Sequence, residues 1–184
     1  MAVALLGGTF DPVHNAHLAM ARAALGALPV QKVIFLPTGK TRYRGPALAP
    51  AADRVAMLEL ALAREPRFEI DRRELDPAAS GYTADTLRSF HSQGAPELYF
   101  LMGADQLEKL STWHRPDEVR RLAKLAVFAR PGHDAGDPAV AVIPMAPMAV
   151  SASDIRSRAS RGESLAGLVP APVENYIRSR GLYR

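Results

Sequence analysis

Gly7-Gly8-Thr9-Phe10-Asp11-Pro12-Val13-His14-Asn15-Ala16-His17-Leu18 is the stretch from which the rest of the chain can be read. An apolar run of strand length, Val3-Ala4-Leu5-Leu6, precedes it. Behind it Leu18, Ala21 and Leu25, with Met20 and Ala24 alongside, recur at helical spacing. The stretch therefore reads as a strand-to-helix turn. In an open α/β sheet that turn lies at the carboxyl end of a strand, where ligands collect. Gly7 and Gly8 lack a Cβ, so the backbone can turn sharply and a ligand can come close. Asn15 is a candidate N-cap, which places His17 in the first helical turn, where free N–H groups and the helix dipole favour an anion. His14 and His17 are three positions apart and share a face. Two imidazoles there can donate to a phosphate chain and gain charge from it. Taken singly, a glycine pair is often only a turn and a histidine pair only a surface pair; together at this spacing they are far more specific. Zinc is disfavoured, because the chain has no Cys, no HExxH and no obvious third ligand.

Length and composition set the frame. The chain has 184 residues, 48% of them hydrophobic, which suits one domain with a full core, 1–184. No apolar run approaches the roughly 18 residues of a membrane span, and the start lacks the pattern of a signal peptide. With no cysteine there is no disulfide framework and no thiol nucleophile. These features fit a cytoplasmic protein with no membrane partner. The formal charge of +4 is spread along the chain, which makes small phosphorylated substrates better partners than nucleic acid.

Further along, Lys32–Leu36 reads as a second strand ended by Pro37, completing a βαβ unit. Gly39-Lys40-Thr41 mimics the end of a P-loop, but Ile34 stands where the first glycine is required, so Walker A is rejected. Lys40, Arg42 and Arg44 form a basic stretch, either a mobile solvated loop or a flap over substrate phosphates. A helix is expected over Asp53–Leu62, starting near Pro50, and a short strand at Phe68–Ile70. Thr83 can cap a helix running to about Gln93. Glu97–Met102 reads as a buried strand running into Gly103-Ala104-Asp105, where Asp105 either binds ribose hydroxyls or caps the Gln106–Leu110 turn. A helix opens at Pro116, strands follow at Lys124–Ala129 and Val140–Ile143, and His133–Pro138 reads as a loop. Ser151 or Ser153 can cap a helix through about Ser160, with Arg156 in its first turn as a permanent forked charge for phosphate. Asp154 repels phosphate there unless it points away.

GGTFDPVHNAHL resembles the ATP-binding signature of the nucleotidyltransferases with a His-x-Gly-His motif, and among them the bacterial nicotinate mononucleotide adenylyltransferase family. Ala16 replaces the family's glycine between the histidines, which puts a methyl group beside the adenine position. Further matches are Tyr82-Thr83-Ala84-Asp85-Thr86-Leu87, Met102-Gly103-Ala104-Asp105, Leu110 to Trp113, and Ser151-Ala152-Ser153-Asp154-Ile155-Arg156, with Ala152 in place of a second serine. Gly167–Pro170 and Tyr176-Ile177 are similar to the family's C-terminal helix, so the likeness spans residues 2–184.

The resemblance implies an α/β fold with a Rossmann-like, mainly parallel sheet and helices on both faces. It implies adenylyl transfer from ATP to nicotinate mononucleotide, giving nicotinate adenine dinucleotide and pyrophosphate, in NAD biosynthesis. His14, His17 and Arg156 would carry catalysis, and Gly7, Gly8, Thr9, Phe10, Gly103, Asp105, Ser151, Ser153 and Ile155 would bind ATP. Lys40, Tyr82, Thr83 and Trp113 would bind the mononucleotide, with the indole stacked on its ring. Mg²⁺ would arrive on the ATP phosphates rather than in a protein cage. The competing readings are a phosphopantetheine adenylyltransferase or related nucleotidyltransferase, and a noncatalytic nucleotide- or RNA-binding module. The oligomeric state is left open.

Overall fold

Strand β1, Ala2–Gly8, is the centre of the fold, and its composition explains why. Ala2, Ala4 and Leu6 belong to one buried cluster, while Val3 and Leu5 belong to another. Side chains alternate across a strand, so β1 is apolar on both faces and must be covered on both. The computed structural model describes residues 2–40, 42, 45–129 and 135–184. Arg44 of the basic stretch and His133 of the expected loop lie outside them.

The elements follow in the order β1, α1 (Asn15–Ala27), β2 (Val30–Pro37), α2 (Ala51–Leu62), β3 (Phe68–Ile70), α3 (Thr83–Ser92), β4 (Glu97–Gly103), α4 (Ala104–Glu108), α5 (Pro116–Leu122), β5 (Lys124–Ala129), β6 (Ala141–Pro144), α6 (Ala152–Ser160) and α7 (Ala171–Arg180). The six strands form one sheet in the order β3-β2-β1-β4-β5-β6, and every pairing is parallel. This is the doubly wound order, which reverses between β1 and β4. Helices α1, α2, α6 and α7 contribute Leu18, Met57, Ile155 and Val173 to the cluster on the Leu6 face. Leu87 of α3 and Val119 of α5 pack on the Leu5 face. Among the described residues no helix is long and apolar enough to cross a membrane.

The sheet is wholly parallel where a mainly parallel one was expected, so all six carboxyl ends share one edge. Gly8 pairs with Pro37, and Leu5 with Phe100, which brings the ends of β1, β2 and β4 side by side. Three expected caps shift by one or two residues. His14 is the extended N-cap of α1 (φ −145°, ψ 171°), so Asn15 is already helical and its amide donates instead to the Gly167 carbonyl at 2.9 Å. Tyr82 (φ −101°, ψ 132°), not Thr83, precedes α3, and Gly103, not Asp105, precedes α4. The last strand starts at Ala141 rather than Val140, whose N–H closes a turn on Asp137.

Candidate active site

The turn after β1 is held from below and behind. Phe10 adopts a left-handed φ of 49°, unfavourable for an aromatic residue, yet it is only 2% exposed and its ring meets His17 edge-on at 4.9 Å. Burial of the ring and the bonds around the next residue hold it there. Asp11 is buried, and its carboxylate accepts the Leu48 N–H (2.7 Å), the Ala49 N–H (3.1 Å) and the Tyr183 hydroxyl (2.8 Å). Arg54, also buried, donates through Nη1 to the carbonyls of Thr9 (2.6 Å) and Thr38 (3.0 Å). Burial lowers its pKa, and its Nε has no partner among the described residues.

On this base the two histidines stack, with ring centroids 3.7 Å apart. The His14 backbone N–H donates to His17 Nδ1 at 3.2 Å. A neutral His17 therefore carries its proton on Nε2, which makes that nitrogen a donor. His14 is buried, and desolvation lowers its pKa to about 4, so it is neutral near pH 7. Gly7 and Gly8 end β1, and a Cβ on Gly8 would stand 3.1 Å from the Phe10 ring.

The late helix start meets the early one. Arg156, in the first turn of α6, donates through Nη1 to the Asp11 carbonyl at 2.8 Å across 145 residues of chain. The α1 start is also tied to the chain beyond α6, because the Asn15 N–H donates to the Leu168 carbonyl at 2.9 Å. Ser151 is the N-cap of α6, accepting from the Asp154 N–H, and its hydroxyl lies 3.2 Å from that of Ser153. Asp154 accepts from Arg158 Nε at 3.0 Å, one turn along the helix, so its charge is paired with a cation. Ile155 is fully buried and its N–H closes on the Ser151 carbonyl, so its side chain serves packing.

The other half of the edge is aromatic. Tyr82 stacks on His114, with ring centroids 4.3 Å apart. Trp113, the only tryptophan, meets Phe100 of β4 edge-on at 6.1 Å. Thr83 is the first residue of α3, a helix start whose earliest return bonds run from the Asp85 and Thr86 N–H groups to the Tyr82 carbonyl. Lys40 reaches the Pro77 carbonyl through Nζ at 2.7 Å, so its ammonium is engaged by the loop before α3. Gly103 ends β4, and a Cβ there would lie 2.7 Å from Asp105 Oδ1, so that carboxylate folds back over the strand end. The sequence-predicted residues thus gather into two groups along one edge, a phosphate-type group and an aromatic group. The Thr38 N–H, on the Gly8 carbonyl at 2.9 Å, bridges the loops between them.

Sequence reasoning missed Arg54 and Tyr183 and gave Asp11 no role. Asp11 stood in the quoted stretch, and an acid set between Phe10 and Pro12 is the one signal available. Its donors come from positions 37, 38 and 172 residues away, which spacing cannot reveal.

The cytidylyltransferase-like family matches residues 5–158. The chain belongs to that family. Within it the chain groups with the nicotinate-nucleotide adenylyltransferases. A relative from Laribacter hongkongensis named "Probable nicotinate-nucleotide adenylyltransferase" is 43% identical over 210 residues, covering 100% of this chain and 95% of the relative. One of the same name from Bordetella petrii is 41% identical, covering 99% and 98%. Among solved structures, Plasmodium falciparum nicotinic acid mononucleotide adenylyltransferase complexed with NaAD superposes with a TM-score of 0.80 at 15% identity, covering 99% of this chain and 97% of that one. The same enzyme complexed with APC gives a TM-score of 0.78 at 16% identity, covering 99% and 96%. At such identity these structures speak to the fold.

Proposed function

We propose that the chain transfers the adenylyl group of ATP to nicotinate mononucleotide, with the starts of α1 and α6 holding one triphosphate. The observation that carries this reading is the 2.8 Å bond from Arg156 to the Asp11 carbonyl, which puts the forked cation beside the histidine turn. An oxygen of the mononucleotide's 5′-phosphate attacks the α-phosphorus of ATP. The bond to the β-phosphate oxygen breaks, and pyrophosphate leaves. The attacking phosphate is already ionised, so no strong base and no covalent intermediate is needed. Catalysis then rests on alignment and on neutralising charge that builds on the phosphates. His17 Nε2–H and Arg156 supply the donors; Ser151, Ser153 and the α6 start add neutral ones. His14, stacked beneath His17 and neutral, fixes the ring that does the donating.

Gly7, Gly8, Thr9 and Phe10 bring the backbone close to the nucleotide, and Gly103 with Asp105 face its ribose. Tyr82, Thr83 and Trp113 receive the pyridine ring, and Lys40 borders the mononucleotide. Mg²⁺ fits this site only as a passenger on the triphosphate. The groups around the turn are nitrogen donors and hydroxyls, and the Asp11 carboxylate is already filled by three donors. When bound, the ion neutralises phosphate charge. Groups from residue 7 to residue 183 meet at one sheet edge, which supports reading the chain as one nucleotidyltransferase domain, and ATP as co-substrate suits a cytoplasmic setting.

The test is pyrophosphate release by the purified chain from ATP and nicotinate mononucleotide. Release that depends on the mononucleotide is expected, and His17→Ala is expected to cut turnover far more than it lowers Tm. A chain that binds ATP but releases no pyrophosphate would move the reading to a noncatalytic binding module.

A further inference from the structure

We propose that Arg42 is a specificity-determining residue, whose guanidinium makes the aromatic pocket prefer a pyridine ring bearing a carboxylate over the same ring bearing an uncharged amide. The inference rests on the pocket assignment proposed for Tyr82 and Trp113. Nothing in the family motifs marks Arg42; its placement in the structure does.

The guanidinium carbon of Arg42 lies over the Tyr82 ring, 4.8 Å from its centroid. Its Nε and Nη2 donate to the Ser80 carbonyl at 2.8 and 2.6 Å. Tyr82 in turn stacks on His114, the residue next to Trp113. Arg42 is therefore fixed against the aromatic group, at the rim of a recess it shares with Ala49 and Arg54. The strap of Gly39 and Lys40, just before it in the chain, is docked on the same loop. The Gly39 N–H donates to the Glu74 carbonyl at 3.1 Å, and Lys40 Nζ reaches the Pro77 carbonyl. Gly81, at φ +76°, comes so close that a Cβ on it would stand 2.7 Å from the Lys40 carbonyl oxygen.

Among the described residues, the acids near it are committed to other partners. Asp85 takes the Ser80 hydroxyl at 2.7 Å and pairs with Arg88 at 2.9 Å, and Arg88 pairs again with Glu118. Glu74, beneath the strap, turns its carboxylate to the Thr86 hydroxyl at 2.7 Å. Among the described residues Arg42 engages a carbonyl and a ring face, which position a guanidinium without neutralising it. A ligand carboxylate entering beside Tyr82 meets a preset positive charge, and a carboxamide gains much less from it.

The acid and amide mononucleotides share their ribose and 5′-phosphate and differ only in the ring substituent. A cation that binds the phosphate favours both equally; only one beside the ring substituent discriminates. The experiment measures kcat/KM for nicotinate and nicotinamide mononucleotides, with ATP saturating, in wild type, Arg42→Gln and Arg42→Lys. Arg42 is exposed, so both variants are expected to melt with the wild type. The acid-to-amide ratio is expected to fall about tenfold in Arg42→Gln. Arg42→Lys is expected to keep part of the preference, and the KM for ATP to stay unchanged. An unchanged ratio, including equal losses for both substrates, overturns the inference and makes Arg42 a phosphate or loop contact. Trp113→Ala separates the levels. A raised KM for both mononucleotides supports the pocket on which the inference stands, and an unchanged KM removes pocket and inference together.

Discussion

Tyr183→Phe removes one oxygen atom and tests whether the end of the chain braces the phosphate turn. The Tyr183 hydroxyl donates to Asp11 Oδ1 at 2.8 Å, and Asp11 is only 5% exposed. Burial and the neighbouring carboxylate push the phenol pKa well up, so the hydroxyl stays protonated and donates throughout the working pH range. A hydrogen bond to a charged acceptor contributes about 1.5–3 kcal/mol. The carboxylate keeps the Leu48 and Ala49 N–H groups after the change, so it is not orphaned, and the loss falls at the lower end, about 1.5–2 kcal/mol. For a chain of this size that lowers Tm by about 4–6 °C. Thermal unfolding followed by circular dichroism reads the shift. Tyr176→Phe is the matched control: it deletes the hydroxyl bonded to Asp53 Oδ1 at 2.8 Å, where the charged Arg180 Nε remains as a partner at 3.3 Å. Its cost is expected to stay below about 1 kcal/mol. The reasoning fails if Tyr183→Phe melts with the wild type, or loses no more than the control.

The pKa of His14 gives a signed pH dependence. Its folded value, about 4, lies below the ordinary 6.5, so between those limits the unfolded chain takes up a proton that the folded chain refuses. Stability contributed here is present above pH 6.5 and lost as the pH falls toward 4, by about 3 kcal/mol. Urea unfolding across that window should fall less steeply in His14→Gln than in wild type; parallel slopes would contradict the assignment. Gly39→Ala should be costly, because its Cβ would collide with the Glu74 carbonyl oxygen, a backbone atom that cannot rotate away. A loss of about 2 kcal/mol is expected. Gly103→Ala meets only the Asp105 carboxylate tip at 2.7 Å, which can move, so its loss should stay under about 1 kcal/mol. Equal Tm losses in the two variants would show that the strap is not packed as described.

The parts of the fold that could be read from the sequence are those set by local pattern. The apolar run of β1, the helical spacing behind it and the recurrence of βα units were enough to place the sheet and the edge where its carboxyl ends meet. Caps were harder, because they depend on which residue turns extended. His17 Nδ1 takes the His14 N–H, and Asn15 spends its side chain on Gly167; neither is visible in spacing. Lys40 and Arg42 read as a basic run that is either solvated or poised over phosphate. The structure instead docks both on carbonyls of the loop before α3, a contact between segments almost 40 residues apart. The brace around Asp11 is non-local in the same way, drawing on the loop after β2 and on Tyr183, beyond the last helix. What the residues could not state was their partners.

The central claim is that two helix starts, at His17 and Arg156, act on the same triphosphate. A double-mutant cycle on pyrophosphate release, with His17→Ala, Arg156→Gln and the double variant compared by kcat/KM, tests it most directly. Each single change is expected to cost on the order of a hundredfold, and the pair markedly less than the product, because both act on the same group. Near-wild-type release by either single variant, or losses that simply multiply, would contradict it.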